Sequence, residues 1–189
     1  MIKRVYDACI ASNLPTYVLT DDRRIANLIP DKHFWIDEQD EYSNGTERCA
    51  GAVKYCPQLE QYDKFINVQG DMPDVTTDMV DKCISSLQHY PVSTVFTKMP
   101  EEKQNDPNSV KMVRAGDSAL WFGRGMTGYG EWHLGVYGYK RKALEMYPQL
   151  EQLRWLKNGW QIGCLSVYYN GVEINAPEDV DEWHKKDYQ

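Results

Sequence analysis

Residues 64–71 read Lys64-Phe65-Ile66-Asn67-Val68-Gln69-Gly70-Asp71, an apolar run that breaks at Gln69-Gly70 and is followed by a lone acid. A short apolar run bounded by a glycine reads as a buried strand over Phe65–Val68. Upstream, Ile2, Val5, Tyr6, Cys9 and Ile10 fall on one helical face, and Asn13-Leu14-Pro15 stops that helix before the strand-like run Thr16–Thr20. Asp21-Asp22 caps a second helix that Pro30 ends, His33–Ile36 reads as a strand, and Thr46–Tyr55 as a helix. Downstream, Thr76-Thr77-Asp78 caps a helix with Met79, Val80, Cys83, Ile84 and Leu87 on its apolar face, and Val92–Thr97 is the next strand. Strands alternating with helices argue an α/β fold, a Rossmann-like, mostly parallel sheet with helices on both faces and right-handed crossovers.

The later half has an α+β texture. Ser109–Val113 and Ser118–Phe122 read as a hairpin about Ala115-Gly116-Asp117, and the glycine-rich stretch 123–130 as a plain loop. His133–Tyr139 and Ile162–Tyr169 read as strands, Lys140–Tyr147, Leu150–Asn158 and Pro177–Lys185 as helices. No internal repeat interrupts the 189 residues, a length that suits a single domain over 1–189.

In an open α/β sheet, ligands bind beyond the carboxyl ends of the strands, so Asp71 stands on the ligand-binding edge. A turn or helix-cap acid fits the position equally well, and spacing does not choose between that and a metal ligand. The formal net charge is −7, and Lys and Arg form no cluster interleaved with aromatics, which argues against nucleic acid as a partner. No window approaches the roughly 18 apolar residues of a membrane helix, so a cytoplasmic protein with no membrane partner is expected. The five cysteines lack metal-ligand spacing and read as reduced thiols.

Six stretches occur in order: Tyr42-Ser43-Asn44-Gly45-Thr46-Glu47-Arg48, Val68-Gln69-Gly70-Asp71, Asp106-Pro107-Asn108-Ser109-Val110-Lys111, His133-Leu134-Gly135-Val136-Tyr137-Gly138-Tyr139, Leu150-Glu151-Gln152-Leu153-Arg154 and Ala176-Pro177-Glu178-Asp179-Val180. Together they resemble the 3-deoxy-manno-octulosonate cytidylyltransferases, also called CMP-Kdo synthetases, across nearly the whole chain. The resemblance implies a nucleotide-diphospho-sugar transferase-like fold with a dimerisation and sugar-binding portion in the second half. It also implies a reaction, in which the anomeric hydroxyl of the eight-carbon acid sugar Kdo attacks the α-phosphate of CTP and displaces pyrophosphate, with Mg2+ as cofactor and a homodimer as the assembly. On this pattern Asp71 is a magnesium ligand, and Arg48 and Gln69 lie near the nucleotide or sugar. His133, Tyr137, Glu151 and Gln152 match sugar-side positions, and Arg124 is the candidate cation for the sugar carboxylate.

The resemblance has departures. Family members open with a strand and a loop resembling PARxxSxRLPGKPL that cradles CTP, and Met1-Ile2 falls where that loop has ended. The resemblance therefore implies that the CTP-binding segment comes either from a separate N-terminal segment acting as a partner or from sequence upstream of this start. Asn175 stands where the family has a second metal-ligating Asp, so with Asp71 it is the implied catalytic magnesium pair, its amide oxygen binding with less charge, and Met72 stands where the family commonly has a further acid. Two alternatives follow: a non-catalytic descendant that binds sugar or partner, and an acylneuraminate cytidylyltransferase-like activity. A dehydrogenase-type binder needs GxGxxG after its first strand, which this sequence lacks.

Overall fold

A computed structural model describes residues 1–36, 42–125, 127–146, 152–174 and 176–187, the Glu178 side chain excepted. The chain runs α1 (Ile2–Ile10), β1 (Val18–Thr20), α2 (Arg23–Ala26), β2 (Phe34–Ile36), α3 (Gly45–Tyr55), β3 (Lys64–Val68), α4 (Thr77–Ser86) and β4 (Val92–Thr97). It continues through β5 (Lys111–Ala115), β6 (Ser118–Gly123), β7 (Glu131–Lys140), α5 (Arg141–Met146), α6 (Gln152–Lys157), β8 (Ile162–Ser166) and α7 (Pro177–Asp187).

The helix starts follow local chemistry. Asn44 accepts from the Glu47 amide at 2.9 Å, while the Glu47 carboxylate reaches back to the Ser43 amide at 2.8 Å, satisfying donors that the first turn leaves open. At α2 and α4 the cap is one-sided: Asp22 accepts from the Arg24 amide and Thr76 from the Met79 amide. α1 gives way to a turn in which Asn13 adopts φ 56°, a left-handed conformation that Asn tolerates, just before Pro15.

Two sheets result. β1 and β2 pair in parallel, and six strands form the order β3-β7-β4-β8-β6-β5. The α/β, Rossmann-like architecture is present, with β4 parallel to β8 and with β3 and β4 running in the same direction. The larger sheet is mixed, because β7 returns antiparallel between β3 and β4 and the β5–β6 hairpin adds antiparallel pairs at the far edge. Alternation of strands and helices does not reveal such an insertion, since it is made by the strand that follows the hairpin. Gly138 permits the close fit of β7 against β4: a Cβ there would stand 2.2 Å from Ser93 Oγ.

Side-chain alternation along β7 divides the core. Leu134 and Val136 join Val5 of α1 and Met79 and Cys83 of α4 on one face. Tyr137 and Tyr139 join Ala52 and Val53 of α3, Leu144 of α5 and Trp155 of α6 on the other. The strand ends differ modestly from the sequence reading. β7 is longer than His133–Tyr139, β5 begins at Lys111, and β8 stops at Ser166. Glycines 125, 128 and 130 all take positive φ, as suits the loop expected there.

Candidate active site

A cavity of about 600 Å³ opens where β3 ends and spreads over one face of β7. The period of a strand places His133, Gly135, Tyr137 and Tyr139 on the same face, and all four line it. β7 carries an irregularity here: Thr94 of β4 faces Tyr137 while the next residue, Val95, faces Leu134. Such irregularities re-aim side chains beside binding sites.

His133 is buried, and its Nε2 lies 2.9 Å from Thr94 Oγ1. Thr94 has one hydroxyl proton and donates it to the Val136 carbonyl at 2.8 Å, so it accepts from His133. This assigns the proton to Nε2 and leaves Nδ1 as the acceptor. Burial, and secondarily the Arg124 charge, lowers the His133 pKa from 6.5 to about 3, so the ring is neutral near pH 7. Phe122 and Tyr137 flank it, with ring centroids 5.1 and 5.2 Å away.

Gln69 follows β3, and its amide donates to the Gly135 carbonyl at 3.2 Å. Its side chain occupies space that exists because residue 135 is glycine, since a Cβ there would stand 2.6 Å from Gln69 Oε1. Gln152, at the start of α6, donates through Nε2 to the Tyr137 hydroxyl. Tyr137 stacks on Tyr139 at 6.2 Å, and the Tyr139 hydroxyl meets Thr46 Oγ1 at 3.0 Å.

Asp71 lines this cavity with Oδ1 buried and without a hydrogen-bond partner. Burial raises its pKa, against a smaller pull from Arg124. Arg124 donates to the Asn108 carbonyl. The loop that carries Asn108 is pinned from below: Lys111, almost wholly buried, donates Nζ to the Asp106 carbonyl at 2.6 Å, and Ser109 Oγ donates to the Asp106 carboxylate at 2.6 Å.

Gln69, Asp71, Arg124, His133, Tyr137 and Gln152 thus share one cavity. Arg48 does not line it. Its guanidinium meets Asp21 at 3.3 Å and lines a second cavity of about 760 Å³ between β1 and β3. The two cavities share Gly45, Gln69 and Asp71. Glu151 and Asn175 lie outside the described residues. Asn44, Thr46, Asn108 and Arg154 also line the first cavity without having been singled out. All four belong to stretches that carried the resemblance, which was the available signal. The lining offers neutral donors and acceptors together with the guanidiniums of Arg124 and Arg154 and the carboxylates of Asp71 and Glu173, a set suited to a polyhydroxylated anion.

A sequence model of the family described as Cytidylyltransferase matches residues 1–162. The 3-deoxy-manno-octulosonate cytidylyltransferase of Zea mays is 32% identical over 96% of this chain and 70% of its own length. That of Fusobacterium nucleatum is 31% identical over 96% of this chain and 84% of its own. This chain belongs to the 3-deoxy-manno-octulosonate cytidylyltransferase family. The fold of the family is found here too: a solved CMP:2-keto-3-deoxy-manno-octonic acid synthetase, complexed with CTP, superposes with TM-score 0.84 over 100% of this chain and 87% of that one, at 23% identity. Among the described residues no helix is long and apolar enough to cross a membrane.

Proposed function

We propose that this chain acts in the transfer of CMP from CTP to Kdo, giving CMP-Kdo and pyrophosphate. The observation that carries this reading is the convergence of Gln69, Asp71, Arg124, His133, Tyr137 and Gln152 on one cavity at the carboxyl end of β3. The sugar carboxylate pairs with Arg124. Its hydroxyls are read by the neutral side chains of Gln69, Tyr137, Gln152 and His133, with His133 Nδ1 accepting. The anomeric oxygen bonds the α-phosphorus and its proton passes to solvent water, while the bond from that phosphorus to the bridging oxygen breaks and pyrophosphate leaves with the electron pair. Holding the sugar in place is the main contribution of these residues.

Asp71 fits a hard cation. It is a carboxylate with an orphaned buried oxygen, and magnesium is commonly held by one or two carboxylates together with substrate phosphates and waters. When bound, Mg2+ supplies charge stabilisation at the phosphates. Homodimerisation accords with the exposed Leu120 and Trp121 on β6 and Leu153 on α6. A second reading, sugar binding without turnover, draws support from the neutral Asn175 in the sequence.

Calorimetry with Kdo tests the sugar pocket directly. Saturable binding is expected, weakened about tenfold or more in Arg124→Ala because a charge-assisted pair is lost. Absence of saturable binding, or tighter binding of N-acetylneuraminate than of Kdo, contradicts the reading.

A further inference from the structure

The chain beyond β8 folds back over the turn that carries Asp71. The Ile174 amide donates to the Asp71 carbonyl at 3.1 Å, and the Val172 amide donates to the Asp74 carboxylate at 3.2 Å. The two stretches thus run past each other in opposite directions, Asp71 beside Ile174 and Asp74 beside Val172. Gly171 permits the approach, since a Cβ there would stand 2.6 Å from Asp74 Cβ and 2.5 Å from Tyr169 Cζ.

Val172 is buried in this arrangement, while Glu173, which lies between the two donating amides, lines the same cavity as Asp71. Among the described residues these are the two acids that line it. Main-chain hydrogen bonds therefore fasten together the two segments that send carboxylates into one space. Asp74 is committed elsewhere, because it also accepts from Arg4 of α1 at 3.1 Å and from Trp183 of α7 at 3.0 Å.

Two buried polar atoms in this region lack partners. One is Asp71 Oδ1, and the other is the hydroxyl of Tyr169, a residue only 7% exposed whose ring packs edge-on against Trp132 at 5.5 Å. Burial, and after it the charges of Glu173, Asp74 and Asp71, hold the proton on the Tyr169 oxygen, so a neutral phenol faces this group of acids. Unsatisfied buried polar atoms cost free energy, and two carboxylates in one cavity repel. A hydrated divalent cation held between Asp71 and Glu173 relieves both: it neutralises the pair, it bonds Asp71 Oδ1, and a water that it carries donates to the Tyr169 hydroxyl.

We infer that Glu173 is the second carboxylate ligand of the cation held by Asp71, and that it supplies the negative charge which Asn175, two residues further on, does not. The inference rests on the reading of Asp71 as a cation ligand and departs from the family pattern, which pairs Asp71 with position 175. Ligand charge sets affinity for a hard cation, so Asp71 with Glu173 binds more tightly than Asp71 with an amide.

The test uses Mn2+ alone, without nucleotide or sugar, because it takes oxygen ligands as Mg2+ does and its unbound fraction is counted by electron paramagnetic resonance. One saturable site that Mg2+ displaces is expected in the native protein. Glu173→Gln and Asp71→Asn should each weaken it about tenfold or more, and Asn175→Ala should weaken it less than either. A second readout needs no variant to fold: amide resonances of residues 71 and 172–174 in the native protein should broaden first as Mn2+ is added. Binding weakened by Asp71→Asn but not by Glu173→Gln, or weakened more by Asn175→Ala than by Glu173→Gln, overturns the inference and leaves the reading of Asp71 standing. No saturable Mn2+ binding by the native protein, or broadening centred away from these residues, overturns both. Kdo binding, followed by calorimetry without metal, is decided separately.

Discussion

Acid should weaken this protein through His133 in a way that substitution can isolate. The unfolded ring titrates near 6.5 and the buried one near 3. Between those values the unfolded chain binds a proton that the native state does not, so stability is complete above about pH 6.5 and falls as pH drops toward 3. Each pH unit inside that window costs about 1.4 kcal/mol, which integrates to about 2 kcal/mol between pH 7 and pH 5. His133→Gln removes the titration, while the amide nitrogen of Gln can still donate to Thr94 Oγ1. Urea unfolding of both proteins at pH 7 and pH 5 gives the difference free of the other acids, which are common to the two. The native protein should lose about 2 kcal/mol more than the variant over that interval. Equal losses would mean that His133 is not held neutral, and the hydrogen-bond assignment through Thr94 and Val136 would be wrong.

Asp71→Asn should raise the urea midpoint at pH 7 while removing turnover. Burial lifts the Asp71 pKa, so the charged form opposes folding above that pKa, and the gain should fade as pH falls and the native acid protonates. An unchanged or lowered midpoint at pH 7 would contradict this. Gly135→Ala places a Cβ 2.6 Å from Gln69 Oε1 and should weaken Kdo binding severalfold with little loss of helix content, read by calorimetry and circular dichroism. Asp74→Ala should cost about 2–3 kcal/mol in urea unfolding. The Asp74 carboxylate accepts from Arg4 of α1 at 3.1 Å, from Trp183 of α7 at 3.0 Å and from the Val172 amide at 3.2 Å, so its loss leaves three donors without that partner.

The family resemblance, more than periodicity, made much of the site legible. It marked Gln69, Asp71, Arg124, His133, Tyr137 and Gln152, all of which line the cavity, while position alone placed only Asp71, after Phe65–Val68, on the ligand edge. The apolar face of α4 was equally plain, since Met79, Val80, Cys83 and Leu87 are all buried. Other features depend on tertiary contacts that no local pattern encodes. The antiparallel entry of β7 between β3 and β4 is set by long-range pairing. Lys111 looks like a surface lysine in a polar stretch, yet it is buried because the Asp106 carbonyl receives its ammonium. Arg48 sits in the same short stretch as Asn44, Gly45 and Thr46, but helical spacing on α3 turns it toward Asp21 and the slot between the sheets.

The most direct test of the account is pyrophosphate release by the purified protein with CTP, Mg2+ and Kdo. The account predicts release that depends on Kdo and is abolished by Asp71→Asn. Release that does not depend on Kdo, or that is undiminished in Asp71→Asn, would contradict it.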